Sequence, residues 1–322
     1  MTDLRLYGLL HLAESESTAT NVRVHSFDDQ IRVYALNALG LARSLQAQGV
    51  DFTLLTNDRA RVLSGLVGDP DELVVEEIPF AVEIPSGIGF YSTHFKFDVY
   101  SHLARLTHGY VGYCDLDALC LREVPPALAQ MIRSRTPVCY DITDQMAPAC
   151  GADALAADLA LLTGGRSTGR WTGGEFIAGP PTFFASLVRA ADEVWPVYRE
   201  VYPSLRHVSD ETVVSPAIEI LRSEGVAIAD AGALHIVGRF WNLPVRHRQP
   251  PLSEFENDFL LHLPADKRYL ASLAESGASA GPDLFTHYRR HCGRWASRRR
   301  RILMRVRSHL RRLPSRRGNP AT

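Results

Sequence analysis

Short apolar runs alternate with helix-like periodicity through the first 125 residues, and this rhythm restricts the chain to few folds. Leu4 to Leu12 reads as a buried strand, followed by a polar loop rich in Ser and Thr. Ile31 to Gln48 places Val33, Leu36, Leu39, Gly40 and Leu45 on one helical face and stops at Gly49. Asp51–Thr56, Leu73–Ile78 and Tyr110–Cys114 read as strands, and Phe95–Leu106 as a helix. Such βαβ alternation predicts a largely parallel, doubly wound α/β sheet with ligands beyond the carboxyl ends of its strands. Further on, an Ala/Leu-rich helix leads into a glycine-containing loop, residues 163–170, which reads as a mobile flap. Pro181 opens a helix running to Val201. Asp210–Leu221 reads as another, which Pro216 should shorten or kink.

The 322 residues are 46% hydrophobic and 22% charged, which excludes a disordered chain. No apolar run approaches the roughly 18 residues of a spanning helix. The first residues lack a basic n-region and a cleavage site, so a cytoplasmic protein is expected. The net charge of −1 hides an asymmetry. Residues 1–287 carry −14 and residues 288–322 carry +13, all of it from 13 arginines. The expected organisation is one α/β domain over 1–273, a linker over 274–287 and a basic tail over 288–322. Five cysteines without a Cys-x-x-Cys exclude a zinc ribbon, and Cys114 reads as a small buried residue.

The sharpest local feature is Tyr110-Val-Gly-Tyr-Cys-Asp115-Leu-Asp117. A strand delivers two carboxylates, at i and i+2, to its open end. Hard divalent cations take oxygen ligands, and a cation there relieves the repulsion between the two acids. The plainer alternative is that Asp115 caps a turn and Asp117 is solvated.

This stretch resembles the Asp-x-Asp of nucleotide-sugar glycosyltransferases of GT-A fold, especially the retaining enzymes of family 8 and, more distantly, family 6. The continuation Ala118-Leu-Cys-Leu-Arg-Glu-Val-Pro125 is similar to the pattern that follows it there. Lys96 lies 19 residues before Asp115, where family 8 often places a basic residue near the donor. Thr172-Gly-Gly-Glu-Phe-Ile-Ala-Gly179 resembles the strand lining the sugar pocket, and Ser209-Asp210-Glu211-Thr212 resembles the acidic motif beside the sugar. Leu261-His262-Leu-Pro-Ala-Asp-Lys267 is similar to the His-x-x-Gly-x-x-Lys element. Its Gly is missing, Lys267 comes one position early, and Arg268 stands where the family Lys would sit. The resemblance covers roughly residues 4–270.

The resemblance implies a donor, most simply a UDP-sugar, and a divalent metal, Mn²⁺ or Mg²⁺, bound by Asp115, Asp117 and His262. Lys96, Lys267 or Arg268 would face the phosphates and donor sugar, and Asn57, at a strand end with Asp58, would lie near the nucleotide. Glu211 would stabilise or attack the anomeric centre, with Asp210 on sugar hydroxyls. Glu175, freed for close approach by two glycines, is a rival that as general base would make the reaction inverting. Both acids at 210 and 211 also suit a helix N-terminus, a purely structural role. Tyr91, Trp171 and Trp241 are candidates for stacking on an acceptor sugar. The acceptor would be a glycan or a lipid-linked glycan.

In the tail, Trp295, Ile302, Leu303, Val306, Leu310 and Leu313 fall within an arc of about 100° on a helical wheel, with Arg filling the rest. A basic amphipathic helix of this kind suits an anionic membrane surface, which implies peripheral association with the inner face of the plasma membrane. Nucleic acid would leave the acidic body unexplained. Two alternatives are a nucleotidyltransferase and a non-catalytic, basic-tailed binding protein. The first is disfavoured because the loop after the first strand is acidic rather than Gly-rich and basic.

Overall fold

A computed structural model describes residues 3–14, 25–66, 70–280 and 283–294. They form two units, residues 1–282 and 283–322. In the first, the apolar strand β1 (Leu4–Leu10) leads to α1 (Phe27–Gln46) and β2 (Asp51–Thr56). α1 starts four residues before its apolar periodicity, because Ser26 caps it by accepting from the Asp29 N–H and the first turn is polar. Then come α2 (Arg59–Ser64), β3 (Val74–Glu77), α3 (Lys96–Ala104), β4 (Tyr110–Cys114), β5 (Ala118–Cys120), α4 (Pro126–Ser134) and β6 (Val138–Asp141). The helices α5 (Thr143–Cys150) and α6 (Ala152–Thr163) precede β7 (Thr172–Gly179), α7 (Pro181–Val201) and α8 (Glu211–Ser223). Last are β8 (Ala229–Asp230), β9 (Val237–Arg239), β10 (Leu260–His262) and α9 (Lys267–Glu275).

The main sheet has the order β3-β2-β1-β4-β7-β6-β8. It is parallel throughout except at β7, which runs antiparallel to both β4 and β6. The expected doubly wound α/β sheet is therefore mixed but mostly parallel. One apolar cluster packs α1 and α9 residues such as Leu36, Leu39 and Ala274, and another packs α3, α7 and α8 residues such as Tyr100, Phe184 and Ile218.

A second sheet, β5-β10-β9, brings distant segments to the end of β4. His262 pairs with Ala118 on one side and with Arg239 on the other. The Leu263 N–H donates to the Asp117 carbonyl at 2.7 Å. This register sets His262 beside the Asp-x-Asp turn.

Two expectations are corrected. α8 is not shortened at Pro216 but runs through it to Ser223, and Thr212–Leu221 are all buried, so tertiary packing offsets the missing hydrogen bond. The 163–170 loop is no flap over the cavity described below. Buried Glu219 accepts from the Ser167 and Thr168 hydroxyls and is paired with Arg222, which ties the loop to α8. The expected linker is partly helical too: α9 reaches Glu275, and residues 284–294 of the second unit are helical. The amphipathic stretch from Trp295 onward lies outside the described residues. Among those described, no single helix is long and apolar enough to cross a membrane.

β1, β4 and β7 pack closely at Gly112. A Cβ there would meet Ala178 Cβ and Leu6 Cδ2 at 2.9 Å and the Ile177 carbonyl at 3.0 Å. Backbone on one side prevents relaxation. Gly112→Ala should cost about 1–3 kcal/mol, read as a lower urea midpoint with an unchanged slope. A midpoint equal to that of the parent would mean the three strands can spread freely.

Candidate active site

Lys96, the first residue of α3, is 3% exposed. Its Nζ lies 2.9 Å from Asp115 Oδ1 and 2.9 Å from Asp210 Oδ2, and donates to the Gly174 carbonyl at 2.9 Å. The Tyr113 hydroxyl also donates to Asp115 Oδ1, at 2.6 Å. Burial opposes the ammonium, but Asp115 and Asp210 hold its pKa well above the ordinary value. Burial pushes the Asp115 carboxyl up, against the pull of Lys96 and His262. The arrangement needs a glycine at 174: a Cβ there would collide with the Asp210 carboxylate and stand 3.0 Å from Lys96 Nζ.

Asp115, Asp117 and His262 form the second group. Each offers one ligand atom, and these atoms lie within 4.8 Å of one another. His262 Nε2 is 3.2 Å from Asp117 Oδ1 and 3.7 Å from Asp115 Oδ2. Lys267 donates to Asp117 Oδ2 at 2.5 Å and to the Pro264 carbonyl at 2.9 Å. Burial acts against ionising Asp117, yet Lys267 and His262 hold its pKa well below the usual carboxylate range. Burial likewise opposes the imidazolium, but Asp117 and Glu175 push His262 up to about 9. Two carboxylates and an imidazole suit a divalent cation such as Mn²⁺ or Mg²⁺. Asp117 also neutralises buried Lys267, so removing it alone strands a cation.

Arg239 holds the third group together and had no motif to announce it. It is 5% exposed, with Nε 3.4 Å from Glu175 Oε1 and Nη1 3.3 Å from Glu211 Oε1. Nε also donates to Gln145 Oε1 at 3.2 Å. Glu211 accepts from Trp171 Nε1 at 3.2 Å, and His207 Nε2 stands 3.4 Å away. Burial disfavours the Glu211 anion, but His207 and Arg239 hold its pKa far below normal. Glu175 is lowered too, by Arg239 and His262 against its burial. His207 is raised against its burial, chiefly by Glu211. The capping alternative for Asp210 and Glu211 does not apply to their side chains. The Ser209 hydroxyl accepts from the Glu211 N–H at 3.1 Å, and Asp210 makes no cap hydrogen bond.

These groups line one cavity of about 300 Å³, together with Leu10 and His11 at the end of β1, Gln30 and Tyr34 of α1, and Tyr91, His207, Trp241 and His247. Four expected residues are placed elsewhere. Asn57 clamps the chain after β1, accepting from the Leu12 N–H at 2.7 Å and donating to its carbonyl at 3.0 Å, and does not line the cavity. Asp58 caps α2. Arg268 is half exposed and pairs with Asp29 at 2.7 Å, so Lys267 is the cation that faces the cavity. Trp171 is fully buried and offers no open ring face. Cys114 is buried in β4, as expected.

No protein-family model matches the chain, and no curated protein sequence matches it. Similar solved structures include two of the galactosyltransferase LgtC, each 12% identical over 84% of this chain and 95% of that one. The TM-score is 0.47 for LgtC in complex with donor and acceptor sugar analogues and 0.49 for an active-site mutant.

His11 gives the cavity a pH signature that is separate from the acidic groups. Its ring stacks on Phe95 at 3.9 Å and meets Phe80 edge-on at 5.1 Å. Burial pushes its pKa down to about 4. The unfolded chain takes up this proton near pH 6.5, the folded chain only near pH 4, so stability is complete above 6.5 and falls as the pH drops through that window. Allowing for the solvent that reaches the ring, the loss is roughly 1–2 kcal/mol. Urea unfolding of the parent and of His11→Phe at pH 7.5 and 4.5 should differ by that amount between the two pH values. An equal difference at both would mean that His11 is not held neutral.

Proposed function

We propose that the protein is a metal-dependent glycosyltransferase that moves a hexose from a nucleotide sugar, most simply a UDP-sugar, to a glycan or lipid-linked acceptor with retention. One observation carries the reading. Asp115 and Asp117 from the end of β4, His262 from β10 and Lys267 from α9 converge on the lining of a single cavity that also holds Lys96, Asp210 and Glu211. In the transfer, the bond from the anomeric carbon to the diphosphate oxygen breaks and a bond to an acceptor hydroxyl oxygen forms.

Asp115, Asp117 and His262 would hold the cation, which when bound supplies charge neutralisation to the departing diphosphate. Lys267 adds a phosphate contact from the same side. Asp210, fixed by Lys96, is set to bind sugar hydroxyls. Glu211 is held anionic by Arg239, His207 and Trp171, a state suited to stabilising or attacking a positively charged anomeric carbon and poorly suited to accepting a proton. Glu175 is 3% exposed and engaged by Arg239 and His262, and its lowered pKa makes it a weak base as well. Both points favour retention over inversion. Trp241 and Tyr91 remain as stacking surfaces for the acceptor.

The test is thermal unfolding with UDP, GDP, CMP or ADP, each with Mn²⁺, Mg²⁺ or EDTA. A nucleotide at 100 times its dissociation constant should add about 2.7 kcal/mol, raising the midpoint by a few degrees. The shift should vanish in EDTA and in Asp117→Asn, whose own midpoint should also be lower because Lys267 loses its partner. No shift with any nucleotide, or a shift indifferent to EDTA, would overturn the proposal.

A peripheral place on the inner membrane face is proposed from the arginine-rich residues 288–322. The full chain should sediment with liposomes containing phosphatidylglycerol and be released by salt. A chain ending at residue 287 should stay in the supernatant. Equal sedimentation of both would remove the membrane role.

A further inference from the structure

The chain after β9 forms a braced loop on one side of the cavity. The Gln249 side chain accepts from the Trp241 N–H at 2.6 Å and donates to the Trp241 carbonyl at 3.1 Å, which closes the loop on itself. Gln145 of α5 ties it down: its carbonyl accepts from the Arg248 N–H at 3.1 Å, while its Oε1 accepts from Arg239 at the end of β9. Trp241 and His247 line the cavity from this loop, their ring centroids 5.9 Å apart.

The hydrogen-bonding capacity left on this wall suits acceptor atoms. Arg239 Nη2 and Trp241 Nε1 are buried donors without a hydrogen-bond partner, and so is His247 Nδ1 in the tautomer that protonates it. A buried donor left unmade costs about 1–3 kcal/mol, which oxygen atoms of a ligand would offset. The charge is also unspent. Arg246 and Arg248 flank His247, both are exposed, and among the described residues neither side chain has an ion-pair partner. Elsewhere in the cavity, Asp115, Asp117, Glu175, Asp210 and Glu211 each already face a cation. The unpaired positive charge of this loop therefore sits on Arg246 and Arg248, the chain neighbours of His247, which lines the cavity.

We propose that residues 239–249 form an acceptor subsite that selects a sugar bearing an anionic group, a carboxylate or a phosphate, beside the Trp241 ring. The apolar face of the pyranose packs on Trp241. The anion draws on Arg246, Arg248 and the inward donors, with the bidentate geometry that guanidinium groups offer oxyanions. The subsite deepens the glycosyltransferase reading, on which it rests, by naming the class of acceptor.

The test is titration of the full-length protein with methyl glucuronide, methyl glucoside and methyl glucoside 6-phosphate, with and without UDP and Mn²⁺, followed by ligand-observed NMR. At least one anionic sugar should bind roughly tenfold more tightly than the neutral one. The preference should weaken with added salt and fall to about twofold or less in Arg246→Ala/Arg248→Ala. A preference for the carboxylate alone assigns a uronic acid, and for the phosphate alone a phosphorylated or phospholipid-linked sugar. Equal binding of all three sugars, no binding of either anionic sugar, or a preference untouched in the double variant overturns the subsite. Failure of UDP to bind while the anionic preference persists would overturn the glycosyltransferase reading and leave the anionic-sugar site standing.

Discussion

A buried ammonium sets the geometry of the whole cavity. Lys96 is almost fully removed from water, and only the carboxylates of Asp115 and Asp210, with the Gly174 carbonyl, make that burial tolerable. Its partners come from the end of β4, the start of α8 and the middle of β7. One side chain thus holds three elements at fixed separation. Each partner depends on the others: without Lys96, two carboxylates would face each other in a low-dielectric site, and without either carboxylate the cation would be undercompensated. The glycine at 174 follows from the same requirement, since a Cβ there would occupy the space taken by the Asp210 carboxylate.

The antiparallel setting of β7 and the small second sheet complete the arrangement. Because β7 opposes β4, the carbonyl of Glu175 accepts from the Asp115 N–H at 3.0 Å, and the two acidic segments run past one another at the sheet's ligand end. Pairing His262 with both Ala118 and Arg239 then places an imidazole and a guanidinium on neighbouring strands beside them. A one-residue slip in β10 would turn His262 to the opposite face and dissolve the triad.

What was legible in the sequence is what periodicity and local composition encode. β2, β4 and α7 are found over the residues expected, because their apolar runs have sharp polar, glycine or proline borders, whereas β7 was expected as a strand only through the family resemblance. The convergence of Asp115, Asp117, His262 and Lys267 was legible only through a motif resemblance spread over 150 residues. Arg239 and His207 were not legible. Each has its meaning from a partner on another element, and neither stands in a local pattern. Arg268 and Asn57 show the converse. Their positions in the chain suit a phosphate or nucleotide contact, yet a nearer structural partner, Asp29 or the Leu12 backbone, takes their hydrogen bonds. The flap expected at 163–170 failed for a similar reason, since nothing local reveals that Glu219, fifty residues later, binds it.

The charge balance explains why two histidines stand among so many acids. Asp115, Asp117, Glu175, Asp210 and Glu211 face Lys96, Lys267 and Arg239, which leaves an excess of two negative charges while the imidazoles are neutral. Water-poor sites do not hold such an excess cheaply. Protons on His207 and His262 offset it, and both rings have their pKa raised by the carboxylates they face, in spite of burial. A divalent cation at Asp115, Asp117 and His262 would offset it equally well. Positive charge is therefore required in the half of the cavity that holds the acids, while Arg246 and Arg248, on the loop that carries His247, have no acidic partner among the described residues. A diphosphate near the triad would therefore need a divalent cation to come with it, because the acids there are already in excess, whereas an anionic group near the loop would meet charge that the described side chains leave unpaired.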